Sequence, residues 1–430
     1  MLVISPYFPP TNAADMQRIR MSLPYFEQYG WEAEVVTVDP AYSDLPEDGL
    51  LLQTVPADIR VHQVKAFNKK WTAKFGLGSI ALRSLFYYRK RVNQLLQEKK
   101  YDLIYFSTTQ FPVCILGPYW RKRFGIPYVI DMQDPWHSEY YRDKPKEQRP
   151  SKYWFSYRLN KYLERIAMRH VDGLISVSND YIDDLKARYP WIQNIPSATI
   201  TFGGFAADMG IATDNRLHFQ SLVDPLFTNI VYVGRGGHDM HKAISALFSS
   251  LKKGLEREPH IFKKIKVFFI GTSYAPQGKG RQTVAPLADQ FGLGDSIIEI
   301  TDRISFYHAL VTLQQADALF IPGSDDPKYS ASKLYPYLLS GKPVLAIFNS
   351  MSPALKILRA YQARYVYAYD SDAGIEAEID RFLRQAVSNT FPEQRYNEEV
   401  MAHYSAQNMS ARQCELFDRV IASQLINRVF

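Results

Sequence analysis

Apolar residues along this chain follow two alternating plans. Short apolar runs bounded by turn residues, such as Leu2–Ser5, Glu34–Val38, Pro127–Asp131 and Ala318–Pro322, read as strands buried on both faces. Between them lie longer stretches whose apolar positions recur every three or four residues. Met16, Ile19, Leu23 and Phe26 are one such set, the mark of an amphipathic helix closed by Gly30. Strand, loop, helix and strand at this spacing make a βαβ unit, and repeated units make a doubly wound parallel sheet.

The same reading extends along the chain. Strands are predicted at Ile59–Val64, Tyr101–Ser107, Gly173–Val177, from Asn229 through I-V-Y-V, at Lys266–Gly271 and at Ile297–Ile300. Helices are predicted at Pro112–Phe124, Tyr157–His170, Asp180–Tyr189, Lys242–Glu256, Thr283–Phe291 and Phe306–Gln315. Residues 206–226 are mixed and polar and read as a linker, while two helical stretches between Glu398 and Val429 close the chain. The expected fold is α/β, built of doubly wound parallel sheets, and the length suits two or three domains.

The most informative stretch is Ser330–Phe348, S-A-S-K-L-Y-P-Y-L-L-S-G-K-P-V-L-A-I-F. Serines precede an apolar run, Gly341 stops it, and Pro343 opens a β-rich segment, which predicts a short capped helix followed by a buried strand. Pro336 is tolerated only in a first turn, so the helix starts close to Ser332–Pro336. Its amides then point above strand Ala318–Pro322, where an open α/β sheet accepts an anion.

Composition narrows the picture. At 430 residues the chain exceeds what one core holds, and its apolar and charged fractions are those of an ordinary globular protein. Cys114 and Cys414 are isolated and read as packed thiols rather than ligands. The chain opens directly on L-V-I-S, with no leader in view and no apolar run approaching the ~20 residues of a bilayer span, so a cytoplasmic protein is expected. The net charge of +7 is unevenly spread. Between Lys65 and Lys100, ten Lys and Arg face the single acid Glu98, interleaved with Trp71, Phe75, Phe86 and Tyr87. That pattern suits either a face lying on an anionic membrane or a solvated helix with its apolar side in the core. No nucleic-acid motif accompanies it.

Candidate chemistry sits at predicted strand ends. D-M-Q-D-P-W-H, Asp131 to His137, follows the strand Pro127–Asp131 and offers Asp134 as a catalytic carboxylate or as an Asp-Pro turn. G-R-G-G-H-D-M-H-K, Gly234 to Lys242, follows the strand beginning at Asn229, and its glycines, Gly234, Gly236 and Gly237, let the backbone approach a ligand. The loop containing Gly278-Lys279-Gly280 lacks the Ser or Thr of a phosphate-binding P-loop, and no G-x-G-x-x-G follows the first strand. Asp370-Ser371-Asp372 spells a metal-site pattern but reads as a turn.

S-K-L-Y-P-Y-L, G-K-P-V-L-A and the Arg235 and Lys242 pair together resemble the donor-phosphate elements of GT-B-fold glycosyltransferases, close to retaining family 4. The resemblance implies two Rossmann-like domains, 1–205 and 206–400, facing a central cleft, with the terminal helices at 401–430 crossing back onto the first. It implies a donor site of Gly234, Arg235, Lys242, Ser330, Ser332, Lys333 and Tyr335, with backbone near Thr301–Arg303 reading the base. On the acceptor side it implies Asn12, Ala13, Arg18, Trp136 and His137, with Asp134 catalytic. It further implies a nucleotide-diphosphate sugar as co-substrate, no metal or other cofactor, a glycan or lipid-linked acceptor, and work at the inner membrane face in envelope or exopolysaccharide assembly. The pattern departs from the family at three places. Lys328 and Pro336 stand where many members carry paired glutamates that hold the donor ribose, and Asn12-Ala13-Ala14 replaces a double glycine. A non-catalytic nucleotide- or glycan-binding protein and a nucleotide-sugar epimerase on the same fold therefore stay open.

Overall fold

A computed structural model of the chain describes residues 1–137, 139, 142, 149, 153–326 and 334–429. The chain divides into two compact units, Met1–Gly203 with Ala406–Phe430, and Gly204–Ser405.

The first unit is built on seven strands: β1 (Leu2–Ile4), β2 (Glu34–Val38), β3 (Arg60–Val64), β4 (Ile104–Ser107), β5 (Tyr128–Met132), β6 (Gly173–Ser176) and β7 (Ser197–Thr199). They lie in the order β3-β2-β1-β4-β5-β6-β7, every pair parallel. A parallel sheet must be covered on both sides, and alternate residues divide the work. Leu2, Ile4, Ile104, Phe106, Tyr128 and Ile130 share one core with Tyr88 and Val92 of helix Ile80–Glu98 and with Trp120 of helix Leu116–Phe124. On the other side Phe417 of the long helix Ala406–Val429 packs 5.0 Å from the Tyr105 ring, 6.2 Å from Phe26 and 5.4 Å from Trp31. The C-terminal helix therefore completes the first unit's core, as the resemblance implied.

The second unit carries β8 (Thr228–Val233), β9 (Ile265–Ile270), β10 (Ile297–Ile300), β11 (Ala318–Pro322), β12 (Val344–Phe348) and β13 (Tyr365–Ala368). Their order is β10-β9-β8-β11-β12-β13, again all parallel. Renumbered within the unit this is 3-2-1-4-5-6, the doubly wound order with a switch point between its first and fourth strands. The first unit has the same arrangement, with its switch point between β1 and β4.

Two elements differ from the sequence expectation. Residues 206–226 are not a plain linker: Ala206–Asp214 is a helix whose Asp208, Met209 and Ala212 are buried. It packs on helix Phe306–Gln315, where the Tyr307 hydroxyl donates to Asp208 at 2.9 Å. Its buried face mixes Asp208 with Met209 and Ala212, so no apolar stripe marks it in the sequence. The helix expected at Tyr157–His170 begins earlier, spanning Tyr153–Met168. The other helices and strands that were expected lie within a few residues of their expected ends, β7 and helices Pro353–Ala360 and Ile375–Ser388 had no counterpart in the expectation, and both cysteines are buried and free. No described helix is long and apolar enough to cross a membrane.

Candidate functional site

In an open α/β sheet the loops beyond the carboxyl ends of the strands at a switch point are where ligands sit. In the first unit those loops follow β1 and β4. The loop after β1 is held from outside: the Asn12 amide donates to the Pro46 carbonyl at 2.9 Å, and Asp48 donates to Pro10 at 2.7 Å. Asp15, at the start of helix Met16–Phe26, reaches across the switch point. Its Oδ2 accepts from the Thr108 hydroxyl at 2.8 Å and from the Thr109 amide at 3.0 Å. Burial pushes the Asp15 carboxyl up, against the pull of those bonds. Asp134 lies exposed beyond β5, and its own carboxyl is raised by the surrounding protein and by the Asp15 charge. A carboxylate tuned upward in this way suits proton transfer.

The other residues expected on the acceptor side are placed differently. Arg18 is fully buried, with its Nε 2.7 Å from Asp131 Oδ2. It donates to the Ile200 carbonyl at 2.8 Å and lies over the Phe202 ring at 4.6 Å. It ties helix Met16–Phe26 to β5 and to the chain beyond β7, and offers no surface to an acceptor. Trp136 is buried and stacks on Phe111 at 5.4 Å. His137 is buried beside Tyr157, ring centroids 4.7 Å apart, and its amide donates to Glu164 at 3.2 Å. Burial and the nearby Arg188 charge hold its pKa below the usual histidine value. Both side chains pack rather than line an opening, and Ala13 is buried as well. Of the acceptor-side set, Asn12 and Asp134 keep surface.

At the second switch point, Arg235 follows β8 and Ser324 follows β11. The Arg235 guanidinium grips the Asp239 carboxylate with two bonds, Nη1 to Oδ1 at 2.7 Å and Nη2 to Oδ2 at 2.6 Å. Asp239 Oδ2 also accepts from the Ser324 hydroxyl at 2.6 Å, and the Asp239 carbonyl accepts from the Asp325 amide at 2.8 Å. Burial opposes ionisation of Asp239, but the Arg235 and Ser324 bonds outweigh it and hold the carboxyl below its ordinary range. Lys242 is exposed in the first turn of helix His241–Arg257 and makes no hydrogen bond or ion pair among the described residues.

The glycines of G-R-G-G, expected to admit a ligand, are accounted for by the protein itself. A Cβ at Gly234 would fall 2.4 Å from the Tyr232 hydroxyl, which donates to the Arg235 carbonyl at 3.0 Å. A Cβ at Gly237 would fall 2.1 Å from Asp239 Oδ1 and 2.5 Å from Arg235 Nη1. Gly237 is the floor on which the ion pair rests.

Ser330, Ser332 and Lys333 of the expected donor set, together with Lys328, lie outside the described residues. The helix they were expected to open is present at Leu334–Leu339, with Pro336 in its first turn and Gly341 just past its end at φ +70°. Tyr335, expected to touch the donor, is buried among Tyr361 and Tyr404, with ring centroids 6.5 and 5.7 Å away. Sequence reasoning passed over Tyr337, whose hydroxyl meets the backbone of Val233 at the end of β8. The S-K-L-Y-P-Y-L pattern gave two tyrosines and no signal for which one reached the strand.

Asp370-Ser371-Asp372 is a turn, as expected: Asp370 accepts from Ser350, and Asp372 pairs with Arg359 at 2.8 Å. The basic aromatic stretch between Lys65 and Lys100 forms the short helix Lys69–Thr72 and the long helix Ile80–Glu98. Arg83 turns inward, donating to the Phe67 and Tyr42 carbonyls at 2.9 and 3.0 Å. Phe67, Trp71 (70% exposed) and Phe86 (60%) face solvent, with Lys74 5.4 Å over the Trp71 ring. Phe155 of helix Tyr153–Met168 packs against Gly76, and beside it Trp154, Arg158 and Tyr162 line a shallow exposed groove.

Residues 18–196 match the family described as the glycosyl transferase 4-like domain. Among curated protein sequences none matches the chain. Solved structures of the same fold include WaaG, a glycosyltransferase involved in lipopolysaccharide biosynthesis, at 14% identity over 99% of each chain with a TM-score of 0.50. The N-terminal domain of Candida albicans trehalose-6-phosphate phosphatase is 13% identical over 97% of this chain and 96% of that one, TM-score 0.59. A UDP-forming α,α-trehalose-phosphate synthase from Burkholderia xenovorans is 13% identical over 100% and 99%, TM-score 0.52. With its two parallel doubly wound sheets the chain has the GT-B fold of these structures, and its residues 18–196 are similar to the glycosyl transferase 4-like domain.

Proposed function

We propose that the protein is a glycosyltransferase that moves a sugar, a hexose or close relative, from a nucleotide-diphosphate donor to a glycan or lipid-linked acceptor. The observation that carries this reading is the pair of cations, Arg235 and Lys242, beyond β8 at the switch point of the second sheet. Breaking the donor's glycosidic bond leaves a diphosphate whose negative charge grows toward the transition state. Fixed cations aimed at that charge are often the largest single source of catalysis. Arg235 and Lys242 take this role, joined by Lys333 from the segment before helix Leu334–Leu339, and the chemistry on this reading uses no metal. Asp134, with its raised carboxyl, is the candidate to receive the acceptor proton. Retention of anomeric configuration follows from the family resemblance.

The acceptor reading draws on the surface of the first unit. A patch of exposed Trp71, Phe86, Trp154 and Tyr162 among Lys69, Lys70, Lys74 and Arg158 suits the headgroup layer of an anionic membrane, where aromatic rings insert and lysines meet phosphate. On this reading the enzyme works peripherally at the cytoplasmic face, on lipid-linked acceptors of envelope or exopolysaccharide assembly.

A second reading has its own observation. Pro336 occupies the place where family members carry a ribose-binding glutamate, and Tyr335 beside it is buried. A chain that binds nucleotide or glycan without transfer fits that change. Incubation with UDP-, GDP- and ADP-sugars, with and without undecaprenyl-phosphate-linked saccharides, separates the two. Acceptor-dependent release of the nucleoside diphosphate supports transfer. Binding without release in any combination supports the second reading, and acceptor-independent conversion of the sugar supports an epimerase.

A further inference from the structure

We propose that Asp239 is a positioning residue for the donor's diphosphate: it locks the Arg235 guanidinium and joins the loops beyond β8 and β11 into one anion-binding wall. This rests on the donor role given to Arg235 above. Asp239 lies four residues past Arg235 and would be an ordinary i,i+4 surface pair but for three features. The contact is bidentate, which fixes the plane of the guanidinium as well as its distance. The same carboxylate holds Ser324, and the same residue's carbonyl holds the Asp325 amide, so the far side of the switch point is bonded to the near side through one residue. And Gly237 leaves the space in which the pair lies.

The chemistry asks for such a part. A flexible arginine loses rotamer freedom when it binds phosphate, and a pre-set one does not. The pair leaves Arg235 30% exposed, so a phosphate can approach the guanidinium while Asp239 still holds it.

The test measures dissociation constants of UDP, GDP and ADP, and of uridine, guanosine and adenosine, by calorimetry on the full chain. Asp239→Asn keeps the shape and removes the charge, while Gly237→Ala keeps both charges and pushes the pair apart. Circular dichroism and thermal melting check that each variant is folded. The proposal expects both variants to weaken the bound diphosphate about tenfold or more, with the matching nucleoside changed less than about twofold. Unchanged diphosphate affinity in both variants would reduce the pair to a surface salt bridge and overturn the role. Tighter binding in Asp239→Asn would overturn it too, by making Asp239 a competitor of phosphate. If the wild-type chain binds no nucleoside diphosphate, the donor reading itself fails and this role falls with it, an outcome distinct from the other two.

Discussion

The Tyr337 hydroxyl accepts from the Val233 amide at 2.8 Å and donates to the Val233 carbonyl at 3.1 Å, closing both backbone groups of the last residue of β8. The register of β8 with β11 pairs Ile230 and Val231 with Ala318 and Leu319, short of Val233. A side chain from helix Leu334–Leu339 therefore continues the ladder and fixes that helix against the strand that carries Arg235. Tyr337→Phe leaves both groups without this partner. The expected loss is about 1–3 kcal/mol of stability, read as a lower urea midpoint at unchanged slope. A variant as stable as the wild type would mean the hydroxyl is replaceable by water.

Arg18 and Asp131 form an ion pair with both side chains at 0% exposure. Removing one partner strands a charge in the core, which costs about 3–5 kcal/mol, whereas replacing both with apolar groups of similar size is often neutral. Arg18→Met should therefore be severely destabilised, and Arg18→Met with Asp131→Leu should recover most of the loss. Equal denaturation midpoints for the single and double variants would contradict this account of the pair.

Glu34, buried at the start of β2, gives the first unit a pH dependence. Burial opposes its charge, but bonds from His62, Tyr101 and Lys99 outweigh burial and hold its carboxyl at about 2 rather than 4.5. A carboxyl depressed in the folded state stabilises above its unfolded pKa, and that contribution is lost as pH falls through the folded value. The window is therefore from about 4.5 down to about 2, with an order-of-magnitude contribution of about 2–3 kcal/mol. Wild type should lose stability across that window faster than Glu34→Gln. Parallel stability curves for the two would show that Glu34 is not the group responsible.

The aromatic and basic face of the first unit predicts binding to anionic vesicles. Sedimentation with phosphatidylglycerol vesicles should capture the chain, less so as salt rises. Substituting Trp71 and Trp154 together by Ser should reduce capture several-fold with the fold kept, since the rings are 70% and 48% exposed. Equal capture by neutral phosphatidylcholine vesicles would exclude the electrostatic part of the reading.

The strands were legible because parallel strands buried on both faces leave unbroken apolar runs, as at Val129–Ile130 and Leu345–Phe348. The edge strand Ser197–Thr199 was not, since its residues are only half-buried and small. Helix Ala206–Asp214 escaped for a different reason: its buried face mixes Asp208 with Met209 and Ala212, and Asp208 is held by a bond from a residue 99 positions away. At the candidate site, sequence placed Arg235 and Lys242 at a strand end and a helix start, which are local properties. It did not show the burial of Arg18, Trp136, His137 and Tyr335, which depends on partners remote in the chain. It also read Gly237 as room for a ligand, when the room is taken by the Arg235–Asp239 pair. Charge and glycine in a loop say that something polar is held there, and only the fold says what.

Arg235 and Lys242 are proposed to hold the donor's diphosphate on the second unit. The most direct measurement is calorimetric titration of wild type, Arg235→Ala and Lys242→Ala with UDP, GDP and ADP against their nucleosides. The account predicts that one diphosphate binds the wild type well above its nucleoside, and that each substitution weakens it at least about tenfold while the fold stays intact. Full affinity retained in both variants, or equal binding of nucleoside and diphosphate by the wild type, would contradict it.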